Sequence, residues 1–346
     1  MFNKIVYVIT KPEIGGAQKW IKEQKELLSN RFDVYLITSE PGWLSEQFAN
    51  DHVFFVRDIL SIKSFTASYK ISKILREINA SVVINNSANA GIHGRIAKIY
   101  YNHRSIYVSH GWSCIYNGGR LSKVYCLIEK MLSYLTDNVL CVSKTDFVKA
   151  VNQIGISERK LVTITNGIIP LPSLEENCCL GGQLKLAYVG RMIHPKRPDL
   201  LLEVISQYPS INIDLIGDGP LLSMLKSQFN SYDNINFLGE VKNFEDFYKY
   251  DAFVLTSDSE GLPMSALEAA SVGLPLLLSN VGGCSELIDK KKPNGILYNN
   301  DFNSLFSAIE LLSRNYPVYR RNAYEYRGKF NLYSKYDEYV SLIKGQ

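Results

Sequence analysis

The chain has 346 residues, of which 38 are Lys or Arg and 34 are Asp or Glu, so its formal charge is only +4. Apolar residues make up 46% and charged residues 21%, which excludes a disordered or collagen-like chain. No apolar run approaches the roughly 18 residues that a membrane-spanning helix needs, and the length predicts two domains. The first apolar run, residues 5–9, has the length of a strand and not of a signal peptide, which predicts a cytoplasmic protein.

Short apolar runs alternate with amphipathic stretches through the first half of the chain. Strand-like runs rich in Val, Ile and Tyr lie at residues 5–9, 34–37, 53–56, 82–84, 106–108 and 139–142. Helical stretches lie between them at residues 17–29, 68–79 and 123–135. Nearly continuous apolar strands that alternate with helices predict an α/β fold with a parallel sheet covered on both faces.

The alternation breaks at residues 168–182, where prolines, acids and glycines predict a linker. It restarts with strands at 184–189, 211–216, 235–238, 252–255 and 275–279, and with helices at 198–207, 220–229, 244–248 and 263–272. This predicts an N-terminal domain over 1–170, a linker over 171–183 and a second α/β domain over 184–327, with a C-terminal helix at about 328–346 that packs back on the first domain. Two such domains predict a ligand-binding cleft at the carboxyl ends of the strands.

Two turns follow predicted strands in a way that suits an anion. Gly15 and Gly16 precede the first helix, which fits either a plain tight turn or a backbone that approaches a ligand at a helix N-terminus. Arg191 and Lys196 stand five residues apart in the loop after the strand at 184–189. Arg as a planar fork and Lys as a point charge suit a diphosphate, with a solvated basic loop as the simpler alternative.

The segment 257–268 carries the most specific pattern. It leaves a strand, bears Glu260 in a loop and places Glu268 in the second turn of the next helix. The free N–H groups at residues 261–264 suit an anion, and a carboxylate accepts hydrogen bonds from vicinal hydroxyls such as those of a ribose. Taken alone, Glu268 also fits a solvent-facing helix acid. The Gly-Asp-Gly-Pro turn at 217–220 lacks the third glycine of a dinucleotide fingerprint and is interpreted as structural.

Together these segments resemble a known family. Glu260 and Glu268 form an E-x7-E pattern with Gly-Leu-Pro after the first Glu, and Gly-Arg-x4-Lys, Gly-Gly-Ala, Asn-Gly-Ile and Gly-Asp-Gly-Pro accompany it from residue 15 to about 290. The pattern resembles retaining glycosyltransferases of family 4, among them members from bacterial surface-polysaccharide pathways. The resemblance implies the GT-B fold, in which two Rossmann-like domains with parallel sheets face each other across a cleft. It also implies a transferase of the hexosyltransferase type.

The resemblance implies a role for each matching residue of the second domain. Arg191 and Lys196 would hold the diphosphate of a nucleotide-sugar donor. Glu268 would bind the ribose, and Glu260 would act at the hydroxyls of the transferred sugar as a catalytic residue. Backbone groups of four residues would contact sugar and phosphate: Gly261, Leu262, Pro263 and Met264.

Three further positions complete the expected site. Gly16 would let the N-terminal loop approach the donor, and Val241 would pack near the nucleobase. His110 follows the strand at 106–108 and matches a histidine that approaches the donor sugar, although a hydrogen-bonded turn residue is the plainer interpretation. Family frequency favours UDP as the nucleotide, with GDP next.

We expect no metal and no other cofactor. The chain has no Asp-x-Asp, the motif by which the other large glycosyltransferase fold holds a divalent ion, and its six cysteines lack zinc-ligand spacing. Charge on the leaving diphosphate would instead be stabilised by Arg191, Lys196 and helix N-terminal amides. Retention of configuration is implied by the resemblance alone. A nucleotide-sugar 2-epimerase of the same fold and a non-catalytic partner of another glycosyltransferase are the alternatives, and the intact charged residues favour transfer.

A basic, aromatic segment points to an acceptor. Residues 92–130 hold six basic residues and one acid among several tyrosines, and residues 1–170 carry 21 basic against 13 acidic residues. No nucleic-acid motif accompanies this composition, so we expect no nucleic-acid partner. A polyprenyl-diphosphate-linked acceptor fits better, with peripheral contact at the anionic inner face of the cell membrane.

One stripe within this region has helical spacing. It consists of Leu121, Val124, Tyr125, Ile128, Leu132 and Leu135. We interpret the stripe as core rather than as membrane-inserted. Lys123 and Lys130, on the polar side, would then lie against lipid headgroups.

Overall fold

The computed structural model describes residues 4–116, 118–172 and 183–346. These residues form two compact units. The first consists of Met1–Asn166 together with Leu332–Gln346, and the second of Gly167–Asn331. Residues 173–182, most of the predicted linker, lie outside the described residues, so the linker stays a prediction.

The first unit contains a seven-stranded parallel sheet in the order β3-β2-β1-β4-β5-β6-β7. Its strands are β1 Lys4–Val8, β2 Asp33–Thr38, β3 Val53–Phe55, β4 Val82–Asn86, β5 Arg104–Ser109, β6 Asn138–Cys141 and β7 Leu161–Thr163. The helices between them are α1 Gly16–Leu28, α2 Ala67–Glu77, α3 Ala88–Ala97, α4 Ser113–Tyr116, α5 Ser122–Ser133 and α6 Lys144–Lys149. Burial of the Val- and Ile-rich central strands on both faces makes this sheet the core of the unit.

The second unit contains a six-stranded parallel sheet in the order β10-β9-β8-β11-β12-β13. Its strands are β8 Leu184–Val189, β9 Ile211–Ile216, β10 Ile235–Gly239, β11 Ala252–Leu255, β12 Leu276–Ser279 and β13 Gly295–Tyr298. Its helices are α7 Pro198–Ile205, α8 Leu222–Phe229, α9 Met264–Ser271, α10 Phe302–Arg314 and α11 Tyr316–Tyr326. Two parallel sheets with helical connections confirm the predicted α/β class.

The C-terminal segment returns to the first unit. It forms a last helix, α12 Tyr336–Lys344. The guanidinium of Arg104, at the start of β5, donates to the carbonyl oxygen of Leu342 in this helix, with an Nη2···O distance of 3.0 Å. The end of the chain is thereby attached to the first sheet and not to the second.

Each sheet reverses its strand order at one place. The reversal lies between β1 and β4 in the first unit and between β8 and β11 in the second. Loops that leave two such neighbouring strands run to opposite sides of the sheet, and they leave a crevice at the carboxyl ends of the strands. The fold therefore provides one natural ligand position in each unit.

Some elements differ from the predicted ones. The helix predicted at 244–248 is a single 3₁₀ turn, Asp246–Lys249. The sequence does not predict β7 and β13, which have three and four residues, because their apolar runs are so short. It also does not predict α3, whose two glycines disfavour a helix.

The helix α5 contradicts the interpretation of its apolar stripe as core. Three residues of the stripe are exposed: Leu121, Val124 and Tyr125. The buried residues of the helix are instead Cys126, Glu129, Leu132 and Ser133. Glu129 forms a buried ion pair with Arg95 of α3, at an N···O distance of 2.8 Å, and this pair sets the rotation of the helix. Apolar residues occur on both sides of α5, so the pattern alone could not identify the buried side.

Candidate functional site

Two oppositely charged side chains meet where the second sheet reverses its strand order. Lys196 lies in the loop after β8 and Glu260 in the loop after β11. The Nζ atom of Lys196 is 2.5 Å from Oε1 of Glu260, and the Ser257 hydroxyl donates to the same oxygen at 2.5 Å. Both members of the ion pair are largely buried, with 22% and 9% of their side chains exposed. The crevice expected from the topology is thus lined by a cation and a hydrogen-bonded carboxylate.

The two loops are also joined through their backbones. The Thr256 hydroxyl donates to the carbonyl oxygens of Lys196 and Arg197, at 3.1 and 2.8 Å. The Asp258 N–H donates to the carbonyl oxygen of Pro195 at 2.7 Å. These bonds fix the loop that bears Lys196 against the loop that bears Glu260, so the charged groups are positioned before any ligand arrives.

A third loop, which follows β12, packs against the backbone of Glu260 and Gly261. Gly282 follows β12 with φ +53°, and a Cβ atom at this position would lie 1.8 Å from the carbonyl oxygen of Glu260. The N–H of Gly283 donates to the carbonyl oxygen of Gly261 at 2.7 Å. Only glycine fits such a close approach in this conformation. No sequence motif predicted this loop as part of the site, although a Gly-Gly pair shortly after an apolar strand was a usable signal.

The helix α9 begins beside this carboxylate. Pro263 precedes its first residue and supplies no side-chain cap, and residues 261–264 are buried. The first-turn N–H groups of a helix lack intrahelical acceptors and favour negative charge. Glu268 lies one turn into the helix and is 5% exposed, so it is not the solvent-facing acid of the plainer interpretation.

Arg191 and Val241 follow two strands of the second sheet, β8 and β10, which are separated by β9. Arg191 follows β8, is exposed and forms no ion pair within the described part of the chain. Val241 follows β10 and is 40% exposed. Between them, Gly217 has φ +142°, and a Cβ there would lie 2.0 Å from the Gly190 carbonyl oxygen. This close approach fits the structural interpretation of the Gly-Asp-Gly-Pro turn.

His110 lies in the first unit, directly after β5. Its Nε2 is 2.9 Å from Oδ1 of Asn86, the last residue of β4. Its ring also makes an edge contact with the ring of Trp20 in α1, with 5.2 Å between the ring centres. Burial lowers the pKa of His110 from 6.5 to about 4, so the ring is neutral near pH 7. Asn86 was not identified from the sequence, because no motif marks it.

Gly16 is the first residue of α1 and is exposed. It lies one turn before Trp20, the residue that contacts His110. The first unit therefore places the two predicted residues Gly16 and His110 on elements that touch each other. The other predicted site residues all belong to the second unit.

Two further properties concern clusters of metal-ligating side chains and membrane-spanning helices. Within residues 4–116, 118–172 and 183–346, no three His, Cys, Asp or Glu side chains are grouped so that they could hold a metal ion. In the same part of the chain, no helix combines the length and apolar character needed to cross a bilayer.

Known proteins resemble this chain in sequence. Residues 14–170 match the family described as Glycosyltransferase Family 4, and residues 180–329 match Glycosyl transferases group 1. The chain is 44% identical over 343 residues to the O-antigen biosynthesis glycosyltransferase WbnH of Escherichia coli, covering 99% of this chain and 100% of that protein. It is 28% identical over 337 residues to the Escherichia coli UDP-Gal:alpha-D-GlcNAc-diphosphoundecaprenol alpha-1,3-galactosyltransferase, covering 88% of this chain and 87% of that protein.

Solved structures agree at the level of the fold. HepE of Anabaena in complex with UDP-glucose superposes with a TM-score of 0.83 at 16% identity, over 99% of this chain and 100% of that chain. Sucrose-phosphate synthase of Thermosynechococcus elongatus gives a TM-score of 0.83 at 16% identity, over 99% of this chain and 98% of that chain. The two family matches, the full-length relative and these folds show that the chain belongs to glycosyltransferase family 4 and is a glycosyltransferase of the GT-B fold.

Proposed function

We propose that this glycosyltransferase moves a hexosyl residue from a UDP-sugar to a saccharide carried on polyprenyl diphosphate, during assembly of a bacterial surface polysaccharide such as O-antigen. We further propose that the reaction retains the anomeric configuration and needs no metal ion. The similarity to WbnH and to a UDP-galactose-dependent enzyme that acts on a diphosphoundecaprenol-linked sugar supports the donor and acceptor classes.

The ion pair between Lys196 and Glu260 is the observation that carries this proposal. It joins a cation suited to phosphate and a carboxylate suited to sugar hydroxyls at the reversal point of a parallel sheet, beside the N-terminus of α9. A nucleotide sugar carries both complementary groups in neighbouring positions, an anionic diphosphate and a hydroxyl-bearing ring. On donor binding, the diphosphate would replace Glu260 as the partner of Lys196. Glu260 would then accept hydrogen bonds from the sugar hydroxyls, while the Ser257 hydroxyl continues to donate to one of its carboxylate oxygens.

Other residues would complete the donor site. The guanidinium of Arg191 is exposed, and it would add a second cation at the diphosphate. The backbone N–H groups within residues 261–264 would receive phosphate or sugar oxygens. Glu268 would accept hydrogen bonds from the vicinal hydroxyls of the ribose, and Val241 would pack on the base.

In the proposed transfer, the acceptor hydroxyl oxygen forms a bond to the anomeric carbon as the bond from that carbon to the phosphate oxygen breaks. The attack comes from the face that the diphosphate leaves. The departing phosphate oxygen takes the acceptor proton, so no carboxylate of the protein has to serve as a covalent nucleophile. His110, neutral near pH 7, would contact the donor sugar without adding a charge.

Metal independence would rest on protein cations. Negative charge grows on the diphosphate as the bond breaks, and each charge-assisted hydrogen bond to it is worth about 1.5–3 kcal/mol. Two such bonds, from Lys196 and Arg191, correspond to a rate factor of about 10² to 10⁴.

The cytoplasmic location expected from the sequence remains a prediction. We also propose that the enzyme makes peripheral contact with the membrane.

Incubation of the purified enzyme with UDP-, GDP- and dTDP-sugars and a synthetic lipid-diphosphate-linked acceptor tests the proposal. We expect acceptor-dependent release of UDP that persists in excess EDTA, and a product whose anomeric proton coupling in NMR matches that of the donor. An isomerised sugar in place of a transferred one would identify an epimerase. Inertness towards every donor would favour the non-catalytic alternative, and loss of activity in EDTA with recovery on adding Mg²⁺ would refute metal independence.

A further inference from the structure

The helix α5 presents an apolar ridge to solvent. The ridge consists of Val124, Leu127, Met131 and Tyr134, whose spacing of three or four residues places them on one face. Leu127 and Met131, in its middle, are 58% and 59% exposed, and Tyr134 is 68% exposed. Four large apolar side chains in a row are more than the scattered exposed residues that a soluble surface normally carries. We call these four residues, with the flanking cations described below, the α5 outer face.

The opposite side of α5 is fixed to the unit. Glu129 pairs with Arg95 at 2.8 Å, and the side chains are 7% and 1% exposed. The Arg95 guanidinium also lies over the ring of Tyr107, 4.0 Å from its centre. Rotation of α5 to bury its apolar ridge would pull a carboxylate away from a buried arginine, which is strongly unfavourable. The ridge is therefore held outward and is not a misplaced core surface.

Within residues 118–135, the charged side chains that flank the ridge are all basic. Glu129 is the only acid between residues 118 and 135, and it points inward. Arg120 and Lys123 are exposed and Lys130 is half-buried, all outside the inward-facing side. At the C-terminal end of the helix, the Lys160 ammonium group donates to the carbonyl oxygen of Ser133 at 2.6 Å and so covers the negative helix end with a further cation.

We propose that the α5 outer face docks this enzyme on an anionic lipid bilayer, with the apolar ridge entering the boundary between headgroups and acyl chains and the lysines resting on the headgroups. An apolar ridge, a basic flank and an exposed tyrosine are what an interfacial helix needs. The inference deepens the proposed function, because a lipid-linked acceptor has to be reached from its bilayer.

A second copy of the chain fits this face poorly. In a symmetric dimer the same patch meets itself, so Arg120 and Lys123 would face their own equivalents without an acid to pair with. The ridge is also only about 15 Å long, given the rise of a helix. A stable protein interface buries about 800 Å² on each partner, which four side chains cannot supply.

Vesicle co-sedimentation tests the docking. The probes are vesicles of phosphatidylcholine mixed with phosphatidylglycerol, and vesicles of phosphatidylcholine alone. We expect the full chain to bind the mixed vesicles in low salt and to be released in high salt. The double variant L127S/M131S should lower the apparent affinity at least about tenfold, because two inserting side chains become polar. Met224 in α8 is 51% exposed, and M224S is the matched control that should bind like the parent protein.

The contribution of the basic side chains to vesicle binding is measured separately with the double variant K123Q/K130Q. This variant should lose most of its preference for anionic vesicles while its circular dichroism and melting temperature stay unchanged. Equal vesicle binding by L127S/M131S and the parent protein would overturn the inference. So would a concentration-dependent dimer, seen by analytical ultracentrifugation without lipid, that L127S/M131S disperses.

A second assay separates this inference from the proposed function. Transfer to a water-soluble acceptor analogue in vesicle-free solution should be the same for L127S/M131S and the parent protein, because the ridge is not part of the donor site. Absence of transfer in both proteins would count against the proposed function and leave the vesicle result unaffected. Intact transfer with no vesicle binding by the parent protein would overturn the docking alone.

Discussion

Lys196 Nζ and Glu260 Oε1 lie 2.5 Å apart on two loops that leave adjacent strands of the second sheet. The pair joins the residue expected at the diphosphate to the residue expected at the sugar. In the absence of a donor, each of the two groups is therefore neutralised by the other. Donor binding has to exchange this internal contact for contacts with phosphate and hydroxyl groups.

Replacement of Lys196 tests this exchange directly. We expect K196A to lower kcat/KM by about 10- to 100-fold, because one charge-assisted hydrogen bond to the leaving diphosphate is lost. Circular dichroism and size-exclusion chromatography should show a folded protein. Lys226 in α8 is exposed, and K226A is the control that should keep parental kinetics. Near-parental turnover of K196A with the true donor would remove Lys196 from the site.

Glu268 provides the second prediction. Its side chain is buried in α9, and the proposed ribose contact uses the acceptor oxygens of its carboxylate. We expect E268A to weaken UDP binding, measured by isothermal titration calorimetry, by about 10- to 100-fold. Glu203 in α7 is an exposed helix acid, so E203A should leave UDP affinity unchanged. Unaltered UDP affinity in E268A would leave the residue with a structural role only.

The hydrogen bond from His110 to Asn86 sets a tautomer. The Asn86 amide nitrogen donates to the Ile84 carbonyl oxygen at 3.1 Å, which leaves Oδ1 for the histidine. Because that oxygen can only accept, Nε2 carries the proton in the neutral ring and Nδ1 is the acceptor. ¹⁵N NMR of the parent protein should report protonated Nε2 and a pKa of about 4.

Two variants sharpen this third prediction. N86D should raise the pKa of His110, because a carboxylate stabilises the imidazolium.

The ordinary pKa of His110, 6.5, lies above its folded value of about 4, so the unfolded chain binds this proton more strongly. The contribution of His110 to the free energy of unfolding is complete above pH 6.5 and is lost as the pH falls towards 4. H110Q should therefore flatten the decline of the melting temperature over this range, and a decline identical to the parental one would contradict the assignment.

The sequence predicted the second unit better than the first. Most of its predicted site residues lie on loops that follow strands, with Glu268 in α9, and motifs such as E-x7-E mark these positions in the sequence. Ser257 was missed because its contact with Glu260 depends on a distance that no spacing encodes, whereas the Gly-Gly pair at Gly282 was a signal that was not used. The two units themselves follow from the alternation of strands and helices.

The first unit shows where a pattern is insufficient. Hydrophobic periodicity gives the length of α5, but the helix has apolar residues on most of its circumference. Its orientation depends on a contact between Arg95 and Glu129, which are 34 positions apart in the sequence. A tertiary ion pair of this kind leaves no periodic signal, so the predicted core face was wrong.

That ion pair gives the last prediction. E129Q leaves the guanidinium of Arg95 buried without its counter-charge, and we expect the free energy of unfolding to fall by about 3–5 kcal/mol. The double variant R95M/E129L removes both charges and should recover much of this loss, because a desolvated charge is no longer present. Urea denaturation followed by circular dichroism measures both variants.

The exposed pair formed by Lys292 and Glu325, with an N···O distance of 2.7 Å, is the control for this comparison. Its charges stay hydrated when one partner is removed, so K292A should cost less than about 1 kcal/mol. If E129Q were as mild as K292A, Arg95 and Glu129 would not hold α5 in place, and the outward position of its apolar ridge would need another cause. A large loss in E129Q that R95M/E129L relieves would instead identify the buried pair as the restraint on this helix.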